Sequence, residues 1–284
     1  MATQKEKAVL FHQLHQTGEL LILPNIWDPL GALLLASLDY KAVATASASI
    51  AYSNGYLDGE KIPFNNVLAI CRSIVNSVNL PVTADIEAGY AEDDEQLHEN
   101  ISRLLDTGIV GINIEDTDPS THTLQPVEVQ CKKISLIRQL ADKRNIPLFI
   151  NARTDVYIHT ETFTTAEERL KESLYRGAAY MQAGANGFYP ILMSQPRDIE
   201  QVVKQVLLPL NMITIPGIPD LQTLQDMGVA RLSLGPSFLK IAVRAMKNLA
   251  EALKNHQGLE DITGNEVTSD YLKQLINQSN RLDE

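Results

Sequence analysis

The chain has 284 residues, and its 24 Lys and Arg against 35 Asp and Glu give a formal net charge of −11 at pH 7. This acidic balance argues against a general nucleic-acid binder, because such a protein needs a basic surface to displace counterions from phosphates. Cys71 and Cys131 are too few for a disulfide framework or a cysteine-based zinc site. No stretch approaches the roughly 18 apolar residues of a membrane span, and the N-terminus lacks the apolar run of a secretory signal. We therefore expect a cytoplasmic protein without a nucleic-acid or membrane partner.

Eight short apolar runs of strand length recur along the chain. They lie at residues 20–26, 41–49, 81–87, 111–117, 147–155, 180–184, 212–217 and 231–236. Segments with helical spacing of apolar residues separate most of them, most clearly at 95–108, 127–144 and 164–177. We expect Gly108 and Gly177 to end the first and third of these helices, and Thr164 or Thr165 to cap the third. A last helix is expected around 269–276.

This alternation of strand and helix predicts an α/β fold, and eight repeats of it predict a (β/α)8 TIM barrel. The runs are continuously apolar, as expected for parallel strands that are covered on both faces. The alternative is an open doubly wound sheet, which usually carries a glycine-rich phosphate loop after its first strand. Residues 24–29, PNIWDP, are not such a loop. We expect one domain over 1–284, with the barrel at about 20–250 and a C-terminal helical extension at about 251–284.

Polar residues stand at the ends of four predicted strands, at a spacing of two. They are Thr45, Ser47 and Ser49 in the second run, Asp85 and Glu87 in the third, Asn113 and Glu115 in the fourth, and Asn151 and Arg153 in the fifth. Residues i and i+2 of a strand point to the same face, and the sites of such barrels lie where the strands end. We therefore expect these side chains to meet at one mouth of the barrel.

Three carboxylates at one mouth repel each other and are costly to desolvate. Arg153 supplies one positive charge, and a divalent cation is the natural second. Oxygen ligands without a nearby His or Cys favour Mg²⁺, or Mn²⁺, over Zn²⁺. Mg²⁺ often needs only one or two direct carboxylates, which leaves room for a substrate. The alternative is that these carboxylates are separate charges on surface loops.

Several motifs together resemble the phosphoenolpyruvate mutase and isocitrate lyase superfamily. They are TADIEAGY (83–90), GINIEDT (111–117), INARTD (150–155), TASASIAYSNGYLDGE (45–60) and GVARLSLGP (228–236). The resemblance covers about residues 20–250. It implies a Mg²⁺-dependent α/β barrel that acts on small α-keto or α-hydroxy acids through an enolate. It also implies a homo-oligomer, a dimer or tetramer, often with the C-terminal helix exchanged between subunits.

The resemblance also assigns roles around the expected cation. Asp85 would bind the metal directly, and Glu87 and Glu115 would hold its water molecules. Arg153 would bind a substrate carboxylate or phosphonate, and its planar fork of donors suits that geometry. Asp58 would stand beside the reacting centre.

A second set of residues would bind the rest of a small anionic acid. Backbone amides around Ser47, Ala48 and Ser49 would receive its other acidic group. The alternative for the two serines is packing of small residues at the top of the barrel. Asn151 shares the face of Arg153 and belongs to the same substrate-binding set.

The loop after the fourth strand departs from the superfamily's pattern. Its carbon–carbon lyases carry a Lys-Lys-Cys-Gly-His-type loop there, and its mutases carry a loop with a lysine and an asparagine. Residues 116–130, DTDPSTHTLQPVEVQ, contain neither, so the chain looks like a short-loop member, similar to the carboxyvinyl-carboxyphosphonate phosphorylmutase-like proteins. His122 on this loop and Tyr52 are substitute proton donors. The alternatives are a solvated His122 and a Tyr52 that only packs.

Three functions are open at this point. The first is a carbon–carbon lyase of small di- or tricarboxylic acids that uses Mg²⁺. The second is phosphorus–carbon chemistry at the same site, either as a phosphonomutase or as a phosphonopyruvate hydrolase. The third is a barrel that binds metal and carboxylate without catalysis.

Overall fold

The computed structural model describes residues 2–280. Strands and helices alternate through most of the chain. The strands are β1 (Leu21–Leu23), β2 (Asn25–Ile26), β3 (Val43–Thr45), β4 (Val82–Asp85), β5 (Gly111–Glu115), β6 (Phe149–Thr154), β7 (Gly187–Pro190), β8 (Asn211–Ile213) and β9 (Arg231–Ser233). The helices are α1 (Gln4–Leu14), α2 (Pro29–Ser37), α3 (Ser47–Ser53), α4 (Phe64–Ser77), α5 (Asp94–Leu105), α6 (Val127–Lys143), α7 (Ala166–Gln182), α8 (Pro196–Gln205), α9 (Leu221–Asp226), α10 (Ser237–Lys254), α11 (Leu259–Thr263) and α12 (Ser269–Asn280).

All strand pairs in the two sheets are parallel. Strands β2 to β7 pair in chain order, and β1, β9 and β8 form the second sheet. Pro24 alone separates β1 from β2, and a parallel bridge between Phe188 and Leu210 joins β7 to the residue before β8. These links connect the two parallel sheets to each other. The prediction of an α/β barrel is confirmed.

Local signals explain where the helices begin and how they pack. Asp93 caps α5 by accepting a hydrogen bond from the Gln96 amide at 2.8 Å. Thr165 caps α7 with a capping box that includes Glu168. Both helices were predicted, as were α6 and the start of α12. Apolar side chains from α5 and α6 fill the layer between helices and sheet, and none of the described helices is long and apolar enough to cross a membrane.

Two predicted strands are wrong. Residues 180–184 were assigned to the sixth strand, but α7 continues to Gln182 and the strand is β7. Gly177 lies inside α7, where its missing side chain lets the helix approach Val206 and Phe188. The second run is a strand only to Thr45, because α3 begins at Ser47.

Candidate active site

A cavity of about 200 Å³ opens at the C-terminal ends of the strands. Its polar lining residues are Asn25, Ser47, Tyr52, Asp58, Asp85, Asn113, Arg153, Tyr189, Ser233 and Lys240. A groove of about 290 Å³ lies at the other end of the barrel, but the charged residues that line it are exposed. Converging buried polar groups are typical of a ligand site, so the cavity at the strand ends is the candidate active site.

Asp85 ends β4 at the wall of the cavity. Its backbone amide donates to Thr45 Oγ1 at 3.0 Å, which ties the ends of β3 and β4 together. Its carboxylate receives long hydrogen bonds from Ser47 Oγ at 3.3 Å and from the Glu87 amide at 3.5 Å. Burial raises the pKa of Asp85 in spite of the nearby Arg153 charge. The described residues therefore leave Asp85 a weakly paired carboxylate.

Arg153 lies on β6 between two carboxylates. Its Nη1 is 2.6 Å from Glu115 Oε2, and its Nε and Nη2 donate to Asp155 at 2.6 and 3.0 Å. Burial alone would lower the pKa of Arg153, but Glu115 and Asp155 raise it well above its usual value. These contacts use three of the five N–H groups of a guanidinium. The other two are available to an anion in the cavity.

Glu87 and Glu115 lie close to Asp85 but do not line the cavity. Burial, followed by the charge of Asp58, raises the pKa of Glu87 to about 7. Burial also raises the pKa of Glu115 well above its usual value, although the Arg153 charge lowers it. The three acidic residues at the ends of β4 and β5 thus share one electrostatic environment, which supports the predicted cluster.

The donor set is compatible with Mg²⁺. Within residues 2–280, no three His, Cys, Asp or Glu side chains are arranged to hold a metal ion directly. Mg²⁺ often binds through one carboxylate and keeps several water molecules. Asp85 is the weakly paired carboxylate at the cavity, and Glu87 and Glu115 lie behind it. Asp85 therefore suits the role of a single direct ligand of such a cation.

The segment 46–49 reaches the cavity as the start of a helix. Ala46, Ser47 and Ala48 line the cavity, and the amides of a first helical turn lack partners within the helix. Ser49 was predicted to share the face of Ser47, which is wrong because a helix does not have the two-residue period of a strand. Its side chain is fully buried and its Oγ has no hydrogen-bond partner within the described chain.

Asn151 is buried and does not line the cavity. Its Nδ2 donates to Asn113 Oδ1 at 2.9 Å, and Asn113 is the residue that lines the cavity. Arg231 Nη2 contacts the same oxygen at 3.4 Å. Asn151 is the register partner of Asn113 on the neighbouring strand, so its side chain is linked to the cavity through Asn113.

The structure separates the two predicted proton donors. Tyr52 on α3 lines the cavity and is 50% exposed. His122 is exposed on a turn between Thr117 and Leu124, where its backbone has φ 54°. His122 does not line the cavity, because the turn directs it to solvent. The structure therefore contradicts its assignment as a catalytic residue. Asp58 does line the cavity, and burial raises the pKa of its carboxyl group.

The sequence reasoning missed four of the polar residues that line the cavity, namely Asn25, Tyr189, Ser233 and Lys240. Tyr189 lies on β7, which was not among the eight predicted strands. Lys240 lies in the first turn of α10 and forms no ion pair with a described residue. In the sequence, the only indication of its role is its position four residues after Pro236, which ends the last predicted strand. That position brings the start of α10 to the mouth of the barrel.

Comparisons with known proteins agree with this fold. The family model for phosphoenolpyruvate phosphomutase matches residues 11–254. A 2-methylisocitrate lyase of Bacillus subtilis is 24% identical over 276 residues, covering 92% of this chain and 87% of that protein. A structure described as a candidate phosphonomutase of Burkholderia cenocepacia J2315 is 37% identical, with a TM-score of 0.82 over 89% of this chain and 99% of the other.

A third comparison extends the similarity in fold. The structure of a phosphonopyruvate hydrolase in complex with oxalate and Mg²⁺ has a TM-score of 0.83 and 19% identity. It covers 99% of this chain and 98% of the other. The relatives include lyases and mutases, so the chain is an enzyme of this superfamily. The family model spans nearly the whole barrel and the motifs converge on one cavity, so the chain belongs to the phosphoenolpyruvate phosphomutase family.

Proposed function

We propose that the chain is a Mg²⁺-dependent lyase that cleaves a carbon–carbon bond in a small α-keto or α-hydroxy di- or tricarboxylic acid through an enolate. The observation that carries this proposal is the cavity in which the weakly paired Asp85 faces the same space as Arg153 and Lys240. Its volume of about 200 Å³ suits a small acid. Two cationic side chains favour a substrate with more than one negative charge.

The chain's own residues would bind and orient the substrate. Arg153 would bind one carboxylate with its free N–H groups, and Asp85 would hold the cation, with Glu87 and Glu115 holding its water molecules. When bound, the divalent cation supplies positive charge where negative charge develops during bond cleavage. Oxalate and Mg²⁺ in the phosphonopyruvate hydrolase structure support this combination of ligands.

The second acidic group of the substrate would lie at the opposite wall of the cavity. The amides at the start of α3 and the ammonium of Lys240 border the same space. A cation without an ion pair in the described chain is well suited to bind a carboxylate. Tyr52 supplies an O–H group at the rim and is our candidate proton donor, with Asp58 beside it.

The lyase proposal is tested by measuring pyruvate or glyoxylate release from oxaloacetate, 2-methylisocitrate and related acids. We expect turnover with Mg²⁺ and loss of turnover when the metal is chelated. Lys240→Ala should raise KM for a diacid more than it lowers kcat, whereas Tyr52→Phe should lower kcat. Lys254→Ala, at the far end of α10, is the matched control. Absence of turnover with every small acid would reject the lyase proposal.

Phosphorus–carbon chemistry is the second candidate, and the 37% identity to the candidate phosphonomutase favours it. The same cavity would bind phosphonopyruvate through Arg153 and Lys240. Phosphorus NMR of phosphonopyruvate incubated with the protein and Mg²⁺ tests this function, and an unchanged spectrum rejects it. If neither reaction occurs but oxalate binds together with Mg²⁺, the third hypothesis, a non-catalytic binding protein, replaces both.

We also propose a homo-oligomer located in the cytoplasm. Helix α10 has no buried residue, and Val243, Met246 and Leu253 are exposed on it. Exposed apolar stripes of this kind are typical of protein–protein contacts. Cys71 and Cys131 are free thiols, which suits a reducing compartment.

A further inference from the structure

Two loops that border the candidate active site are joined by a group of reciprocal hydrogen bonds. One carboxylate oxygen of Glu60 accepts from the Ala88 amide at 3.1 Å and from the Tyr90 amide at 2.7 Å. In return, the Glu60 amide donates to Glu87 at 2.7 Å, and Tyr90 Oη donates to the other oxygen of Glu87 at 2.8 Å. We call Glu60, Glu87, Ala88 and Tyr90 the Glu60 clamp. It joins the loop after α3 to the loop after β4.

The backbone of the Glu60 clamp is strained. Glu60, Glu87 and Tyr90 have φ values of 59°, 51° and 55°. This left-handed region is unfavourable for residues with a side chain and is most often occupied by Gly, Asn or Asp. Such conformations persist only where surrounding contacts impose them, and they cluster at functional sites. In the Glu60 clamp, the hydrogen bonds of the Glu60 and Glu87 carboxylates impose these backbone conformations.

The clamp also holds two acidic side chains away from bulk water. Burial raises the pKa of Glu60, and four of the groups around it favour its charged form, including the ammonium of Lys133. Lys133 Nζ donates to the Ala88 carbonyl at 3.2 Å, so it joins the same loop. Lys133, on α6, therefore links the clamp to a helix as well.

The clamp lies next to residues that line the cavity. Asp58 is two residues before Glu60, and Gly59 between them has φ 94°. Asp85 is two residues before Glu87, whose amide points to its carboxylate. We propose that Glu60 is a positioning residue that fixes the loop carrying Asp58 over the cavity and orients Glu87 beside Asp85. The role through Asp58 rests on the proposed function, whereas the fixing of the loop does not.

The first experiment separates positioning from simple stabilisation by kinetics. Glu60→Ala removes the acceptor for both amides and should lower kcat about 10- to 100-fold, because small displacements in an active site cost about this much. KM should change less than kcat. Glu60→Gln keeps a carbonyl acceptor and should recover most of kcat. Glu95→Ala, on the exposed start of α5, is the control.

The path through Asp58 is tested by a double variant. If Glu60 acts through Asp58, Glu60→Ala should cause little further loss of kcat in the Asp58→Asn background, because residues that act as a unit are not additive. Full additivity of the two losses, or a Glu60→Gln variant as slow as Glu60→Ala, would overturn the positioning role.

The second experiment does not depend on turnover. Lys61 is exposed directly after Glu60, so trypsin cleavage at Lys61 reports whether the loop is fixed. We expect cleavage to be at least about 10-fold faster in Glu60→Ala than in wild type, Glu60→Gln or Glu95→Ala, since a fixed loop resists proteolysis until it opens. An equal rate in wild type and Glu60→Ala would overturn the proposal. Faster cleavage without turnover on any substrate would reject the proposed function and leave the fixed loop in place.

Discussion

Asp85 illustrates how one side chain can be unfavourable for folding and necessary for function. Its carboxylate is half-buried, burial raises its pKa, and its hydrogen bonds of 3.3 and 3.5 Å are long. A buried charge without good partners costs stability. A bound cation would compensate for this cost. Metal binding at Asp85, as proposed above, would therefore be coupled to the stability of the barrel mouth.

The substitution Asp85→Asn tests this coupling. We expect the apo protein to become more stable, by about 1 kcal/mol, because the uncompensated charge is removed. Stabilisation by Mg²⁺ with oxalate, visible as a rise in Tm for wild type, should be lost, and turnover should fall at least about 100-fold. Asp39→Asn is the control, since Asp39 is exposed and its φ of 61° is tolerated by Asn. An unchanged response to Mg²⁺ would move the metal site away from Asp85.

His15 gives a second residue with a measurable pH effect. It is buried against Phe149, and its Nδ1 lies 2.7 Å from the Phe11 carbonyl. Burial, followed by the charge of Arg231, lowers the pKa of His15 to about 3. The unfolded chain takes up a proton near pH 6.5, whereas the folded chain does so only near pH 3. The contribution of His15 to the free energy of unfolding is therefore fully present above about pH 6.5, and it decreases as the pH falls from 6.5 to about 3.

Between these two pH values, the free energy of unfolding is expected to decrease by up to about 1.4 kcal/mol for each pH unit, because His15 titrates. Urea denaturation of wild type and His15→Asn between pH 7 and pH 4 measures it. Asn keeps a donor for the Phe11 carbonyl but does not titrate, so the variant should show a smaller pH slope even if its stability at pH 7 is lower. His98→Asn, on the exposed side of α5, should keep the slope of wild type. Equal slopes for wild type and His15→Asn would contradict the assignment.

At the scale of the elements, Gly177 shows that a glycine in the sequence can indicate either the end of a helix or close packing inside one. The sequence reasoning used it as a helix stop, but it lies inside α7 and faces β7 and α8. A Cβ at this position would lie 2.8 Å from Val206 Cγ2 and 3.2 Å from Phe188 Cε1. The helix thus uses glycine for close packing.

Gly177→Ala is therefore expected to destabilise the protein. Ala is favoured over Gly in a helix by about 1 kcal/mol, but overpacking costs about 1 to 3 kcal/mol, so the net change should be a loss. Urea denaturation measures it, and Tyr175→Ala, on the exposed side of the same helix, is the control. A stabilised Gly177→Ala variant would show that Val206 can move aside, and would contradict the packing argument.

The helices and strands also show which parts of the fold and of the candidate site the sequence alone could predict. Helices α5 and α6 were predicted because a 3.6-residue period and capping residues are local signals. The run 180–184 was assigned wrongly because a short apolar segment can belong to a buried helix face or to a strand. Asp85, Glu115 and Arg153 were brought together correctly, since neighbouring parallel strands end at the same edge. Lys240 and Glu60 depend on how distant helices and loops close over that edge, and no local pattern encodes this.

At the scale of the whole molecule, α10 presents an apolar stripe that the described chain does not cover. Val243, Met246, Ala250 and Leu253 follow a spacing of three, four and three, and all four are exposed. This spacing places them on one face of the helix, as in helices that pair with one another. A stripe of this kind on an otherwise acidic chain favours contact with another copy of the same helix over a charged partner.

The final prediction is that the chain is an oligomer that depends on this stripe. Analytical ultracentrifugation should give a multiple of 31.4 kDa for wild type. Met246→Glu should shift the mass toward the monomer, because a charge would be buried at an apolar contact. Asn248→Glu adds the same charge on the opposite face of α10 and should leave the mass unchanged. A monomeric wild type, or a Met246→Glu variant with the mass of wild type, would show that the stripe is not the contact between subunits.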